Sequence, residues 1–397
     1  MQNAKTLMPI KFITLVFILF CAVGIAFGSQ EAAYNYNQRG LVKLKKGDYN
    51  GAVEDFKIAY RYLPDNKEIR YNLGAAYNNY GFYLLNKNQI KTAIEKFEAA
   101  YYYDPRNVYT LYNLGQAYYQ IQNLVKAKEC LEKAYKIDPK VKGLAGLLEK
   151  VRRESVVEKK FDKINSAHFI VSVSSGVTLE RLSYIKIYLE DAYGRVGMLL
   201  NYYPKNRVVA VLYSNNDYDN LLYNRSPWAL ALFDGKVRIP ANKKEYTNEY
   251  LKKIIYHEYA HALVYDMVKN NCPLWLNEGI ASVAESLVVP VNQKLFKKYI
   301  EGIGFIPFGN LPNDFAAIKN KEMAVLAYAE FHLLVDFIIK RKELGGLRQI
   351  LAYLRAKKNI VYAVQKVFGL SMADFEKSWM AYISDRYNVK KIKRLFD

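Results

Sequence analysis

Two histidines four residues apart, with a glutamate after the first, are the side chains of this sequence best suited to chemistry: His257-Glu258-Tyr259-Ala260-His261. On a helix, positions four apart lie about 40° apart around the axis and about 6 Å apart along it, so both imidazoles point into the same space. That spacing makes a metal clamp. Glu258 falls within roughly 60° of His261 on the helical wheel, which puts a carboxylate beside whatever the imidazoles hold. Zinc chemistry needs two neutral nitrogen donors, a third protein ligand, an open position for water and a base for the water's proton. Glu278, in Trp275-Leu276-Asn277-Glu278-Gly279, is the third ligand this reading selects. Four histidines in 397 residues make the motif a chance event on the order of 0.002 times per chain of this composition.

The elements that must position these groups are legible around them. Leu251, Ile254, Ile255, Tyr256, Tyr259, Ala260, Ala262, Leu263 and Val264 cover nearly the whole circumference of a helix, which marks it as buried. Buried imidazoles need partners, and one metal ion supplies a partner for both. Upstream, His168 to Ser174 alternates like a strand, Thr178 to Leu200 has helical period, and Arg207 to Tyr213 reads as a buried strand. His168 is assigned to its strand, with no metal role. Asp234-Gly235 between Trp228 to Phe233 and Lys236 to Pro240 predicts a hairpin, whose edge would take up an extended peptide as an added strand. Phe305 to Ala317 is a loop rich in Gly, Pro and Asn, expected at the rim of a cleft, and Glu322 to Tyr387 reads as helices.

Lys5 and Lys11 precede an apolar run from Phe12 to Phe27, and Ala26-Phe27-Gly28-Ser29 has the small residues of a cleavage site. This layout predicts a secretory signal peptide over residues 1–28 and an exported protein, periplasmic or extracellular. Left uncleaved, the same segment would anchor the chain in a membrane. Only Cys130 and Cys272 remain after it, in different predicted domains, so no disulfide framework supports the fold. The formal charge of +20 falls to +18 without Lys5 and Lys11, which favours acidic partners such as an anionic membrane surface or an acidic wall polymer. Export and the lack of any nucleic-acid-binding motif exclude nucleic acid.

From Tyr34 to about Lys140 the chain repeats itself. Gly40, Ala52, Phe56, Ala59 and Pro64 have the same internal spacing as Gly81, Ala93, Phe97, Ala100 and Pro105, and as Gly115, Ala127, Leu131, Ala134 and Pro139. Pro105 to Pro139 spans 34 residues and Pro64 to Pro105 spans 41, so the middle unit carries seven extra residues, about two helical turns. The pattern resembles the tetratricopeptide repeat, which implies three repeats over residues 29–140 and a surface that docks a protein or peptide partner. Seventeen of the 36 tyrosines lie between Tyr34 and Tyr135, where they either line a groove or pack the helix pairs. Residues 141–160 read as a capping helix and linker, and residues 161–397 as a second domain.

Strand, strand, hairpin, His-Glu-x-x-His helix and Glu helix together resemble the gluzincin metallopeptidases, in particular the compact peptidase MA-like domains attached to repeat modules. The resemblance covers roughly Phe161 to Tyr387 and rests on His257, Glu258, His261, Trp275, Asn277, Glu278 and Gly279. It implies an α+β chain: an all-α tetratricopeptide solenoid, then a thermolysin-like domain with a small mixed sheet and a C-terminal helical part. It also implies that His257, His261 and Glu278 hold Zn²⁺ while Glu258 activates water for attack on a peptide carbonyl. Tyr328 or His332, on a later helix, is expected to stabilise the oxyanion. Sixteen residues separate His261 from Glu278, which calls for a tight connection. Where the thermolysin-like branch has an aspartate to orient a histidine, four positions past the third ligand, this chain has Ser282. The Gly-x-Met-Glu-Asn signature of aminopeptidases is missing, which favours an endopeptidase. The competing expectation is a non-catalytic envelope scaffold that works through its repeats, and hydrolysis of a wall polymer is a third.

Overall fold

The computed structural model describes residues 30–215, 217–218, 235–242, 246–290, 293–302, 305–312 and 321–389. The signal segment, the first hairpin arm with Asp234, and residues 313–317 of the predicted rim loop lie outside the described residues. The chain divides into two compact units that meet between Ser155 and Val156.

The described residues of the first unit are helical. α1 (residues 30–45), α2 (Tyr49–Tyr62), α3 (Lys67–Asn86), α4 (Ile90–Tyr103), α5 (Val108–Gln120) and α6 (Leu124–Ile137) form three antiparallel pairs, followed by α7 (Leu144–Glu158), which runs through the boundary. The repeated small residues explain the pairing. A Cβ on Gly40, Gly81 or Gly115 would run into Phe56, Phe97 or Leu131 respectively, so each glycine is where the helices of a pair come closest. The seven extra residues of the middle unit all fall in α3, which has 20 residues against 13 in α5. Asn66 and Asn107 cap α3 and α5 by accepting backbone N–H groups of their first turns. The tyrosines divide between the two roles: Tyr118 and Tyr119 are buried, whereas Tyr71, Tyr102 and Tyr109 stand exposed.

The second unit begins with a four-stranded mixed sheet in the order β1 (Asp162–Asn165), β2 (Phe169–Val173), β3 (Val208–Tyr213), β4 (Lys236–Pro240). β1 pairs antiparallel with β2, and β2, β3 and β4 run parallel, with α8 (Leu179–Leu200) crossing from β2 to β3. Val171, Ala210, Leu212, Val237 and Ile239 share one core with α8 and the helices that follow, while Val209, Val211 and Tyr213 belong to a smaller cluster with Val157 and Phe161. Burial on both faces accounts for the unbroken apolar run of β3. α9 (Asn248–Val268), capped by Thr247, carries the histidines, and α10 (Leu274–Glu285) carries Glu278. α11 (Gln293–Gly302), α12 (Lys321–Arg355, with a break at Glu343), α13 (Ile360–Phe368) and α14 (Met372–Tyr387) complete the helical part. No helix of the described residues is long and apolar enough to cross a membrane.

Candidate metal centre

α9 is a 21-residue helix buried on most of its circumference, as its sequence predicts. It turns back at Lys269, and Pro273 starts α10 after a short connection, so the close spacing of His261 and Glu278 is met by two helices joined by a tight loop. Gly279 sets how near α12 comes to α10. A Cβ there would collide with the Phe331 carbonyl oxygen and lie 2.5 Å from Val335 Cγ2, so only glycine admits this crossing.

His257, His261 and Glu278 each offer a ligand atom, and these atoms lie within 4.8 Å of one another. The two Nε2 atoms stand 3.0 Å apart, and each is 3.6 Å from a different oxygen of Glu278. The opposite ring nitrogens face acceptors. His257 Nδ1 donates to Glu285 Oε1 at 2.7 Å, and His261 Nδ1 donates to Asn277 Oδ1 at 3.1 Å. With a ring proton held at Nδ1, each imidazole in its neutral form would present an Nε2 lone pair to the other and to a carboxylate. Three acceptors converging without a proton between them repel, and a cation removes the repulsion. Glu278 is 1% exposed, and its Oε2 has no hydrogen-bond partner. Two imidazoles and one carboxylate, one of whose oxygens is buried and orphaned, are a donor set that suits zinc.

The electrostatics of the metal-free cluster agree. Burial pulls the His257 imidazole's pKa down, but its hydrogen bond to Glu285 and the charges of Glu285, Glu278 and Glu258 outweigh this and leave it raised to about 9. Burial raises Glu278 to about 8 against the opposing pull of His257. Burial and the nearby His257 charge drive His261 well below the usual imidazole range.

Glu258 is half-buried beside His257, and burial raises its pKa against the pull of His257 and Arg238. Tyr328 is half-buried on α12. Burial and then the carboxylates of Glu278, Glu258 and Glu285 raise its hydroxyl's pKa, which places that hydroxyl within reach of their field. His332, one turn further along, is 4% exposed; its Nδ1 stands 3.0 Å from Ser282 Oγ and Phe296 lies edge-on to its ring. The orientation expected at Ser282 is supplied instead by Glu285, itself held by Lys253 Nζ at 2.9 Å. Sequence reasoning passed over Glu285 and Lys253. Glu285 follows Glu278 by seven residues, two turns along the same helical face, which is the signal that would have found it.

The Peptidase MA superfamily profile matches residues 219–385, and tetratricopeptide repeat profiles match residues 37–79 and 108–141. No curated protein matches the chain. Among solved structures, it is similar to the tetratricopeptide repeat domain of Arabidopsis OM64, with 20% identity over 32% of this chain and 98% of that one, at a TM-score of 0.25. It is also similar to the second such domain of human RPAP3, solved with an HSP70 peptide (19% identity, 32% and 98% covered, TM-score 0.24). A third similar structure is the Sgt2 domain of Aspergillus fumigatus (19% identity, 38% and 93% covered, TM-score 0.24). The chain thus joins tetratricopeptide repeats to a domain of the Peptidase MA superfamily.

Proposed function

We propose that the protein is a zinc-dependent endopeptidase whose repeats dock a protein substrate or partner. The observation that carries this reading is the geometry of the donors: two Nε2 lone pairs and a Glu278 oxygen converge, while Glu285 and Asn277 hold both Nδ1 protons on the far side. Bound zinc would act as the Lewis acid that polarises water and the scissile carbonyl. Glu258 takes the proton of the attacking water and passes it to the leaving amide nitrogen, a transfer favoured by a carboxylate whose burial has already raised its affinity for protons. The Tyr328 hydroxyl donates to the carbonyl oxygen as negative charge develops there. His257, His261 and Glu278 keep the ion, and Glu285 and Asn277 keep the imidazoles turned toward it.

The same proposal places the protein outside the cytoplasm, on the strength of Lys5, Lys11 and the apolar run that follows, with a membrane anchor if that run stays attached. The test pairs metal analysis with peptide cleavage. Wild type should carry near-stoichiometric zinc, and Glu258→Gln should keep the zinc while losing about 10²–10⁴-fold in kcat. A zinc-free protein, or undiminished cleavage by Glu258→Gln, would sink the reading.

A further inference from the structure

Ser282 and His332 form a part-buried polar contact between α10 and α12, one turn beyond Glu278 on the first helix and one turn beyond Tyr328 on the second. An apolar pair would hold these helices together with less desolvation cost, so what the polar pair adds is direction. The contact lies beside the closest approach of the two helices, where Gly279 meets the Phe331 carbonyl and Val335. Sterics at Gly279 fix how near α12 comes, and apolar packing of Leu326, Phe331 and Leu334 in the core restrains it without setting direction. The hydrogen bond, 3.0 Å long, adds a directional restraint at this point.

His332 itself is poorly suited to donate to an oxyanion. Its Nδ1 is engaged with Ser282, its ring is covered by Phe296, and burial holds it neutral. Tyr328 stands four residues earlier, about 6 Å along the same face, so any shift of α12 at His332 is carried to the Tyr328 hydroxyl.

We propose that His332 is a positioning residue: its hydrogen bond with Ser282, beside the Gly279 crossing, sets where the Tyr328 hydroxyl lies against the His257, His261 and Glu278 cluster. This rests on the zinc reading above and assigns His332 a part in it that acts only through Tyr328.

The test places 3-fluorotyrosine at position 328 alone in the full chain and follows its fluorine resonance as zinc is titrated, with kcat and KM measured on an unstructured peptide. His332→Phe keeps the ring volume without the bond, and His332→Asn keeps a hydrogen-bonding atom where Nδ1 stood. All variants should bind zinc with wild-type stoichiometry. Zinc should move the Tyr328 resonance in wild type and in His332→Asn. In His332→Phe the zinc-induced shift should fall by about half or more and kcat by about tenfold or more, with KM little changed. Ser282→Ala should reproduce that loss, and combining it with His332→Phe should add nothing further. A wild-type response in His332→Phe, or losses that add in the double variant, overturns the proposal. Should His332→Phe fail to fold, Ser282→Ala decides alone, since it removes one oxygen atom from a partly exposed site. A Tyr328 resonance indifferent to zinc in wild type overturns the proposal and leaves the zinc site standing, whereas absence of zinc binding in wild type fails the peptidase reading itself.

Discussion

At the scale of single residues, the proposed zinc centre would depend on groups outside its ligand set. Glu285 accepts the His257 Nδ1 proton and is held in turn by Lys253, so it fixes both the tautomer and the angle of the ring. Glu285→Ala should lower zinc affinity by about 10–100-fold, measured by competition with a fluorescent chelator, while the fold measured by circular dichroism stays intact. Glu285→Gln should lose less, because its carbonyl oxygen still accepts from Nδ1. The histidines, Glu258 and Glu278 stood out in the sequence because a five-residue spacing and one nearby glutamate confine the chemistry. Glu285 did not, because a carboxylate two turns away on another helix becomes a partner only when the helices are packed.

At the scale of elements, the closeness of α10 and α12 depends on one glycine. Gly279→Ala has no room for its methyl group and should cost about 1–3 kcal/mol in denaturant unfolding, with zinc affinity falling in parallel because Glu278 is the adjacent residue. The same helix α12 buries Glu330, 1% exposed, whose Oε1 accepts the Ile306 N–H at 2.7 Å. Burial drives its pKa well above the usual carboxylate range, the Ile306 bond opposes this, and Glu376 adds to the rise. A carboxyl with a raised folded pKa holds a proton that the unfolded chain releases. Its stabilising effect is therefore complete below the unfolded carboxylate pKa and is lost as pH rises through the folded value. Glu330→Gln, isosteric with the neutral acid, should flatten the decline of the thermal midpoint from about pH 5 upward relative to wild type, measured by scanning calorimetry. A decline equally steep in the variant would show that Glu330 is not its source.

At the scale of the whole molecule, two units with separate cores imply two thermal events that respond differently to metal. Chelation should lower only the transition of the second unit, since a ligand that binds the folded state adds stability to the unit that holds it. At free zinc about 100 times the dissociation constant, that contribution is about 2.7 kcal/mol. A calorimetric trace in which both transitions move together would contradict that independence.

Local spacing along the chain encodes its elements. The repeat period placed three helix pairs and assigned seven extra residues to about two turns, which α3 now holds. Apolar patterning marked β2, α8, β3 and the buried α9, and the four-residue spacing brought His257 and His261 to one face. These features follow from backbone periodicity within one element, so no long-range contact was needed to read them. Packing sets which groups meet across elements: Glu285 and Asn277 on the imidazoles, Phe331 against Gly279, and Ser282 on His332. Residues distant in sequence become partners only through helix crossings, and those crossings are set by packing that no single stretch of chain contains.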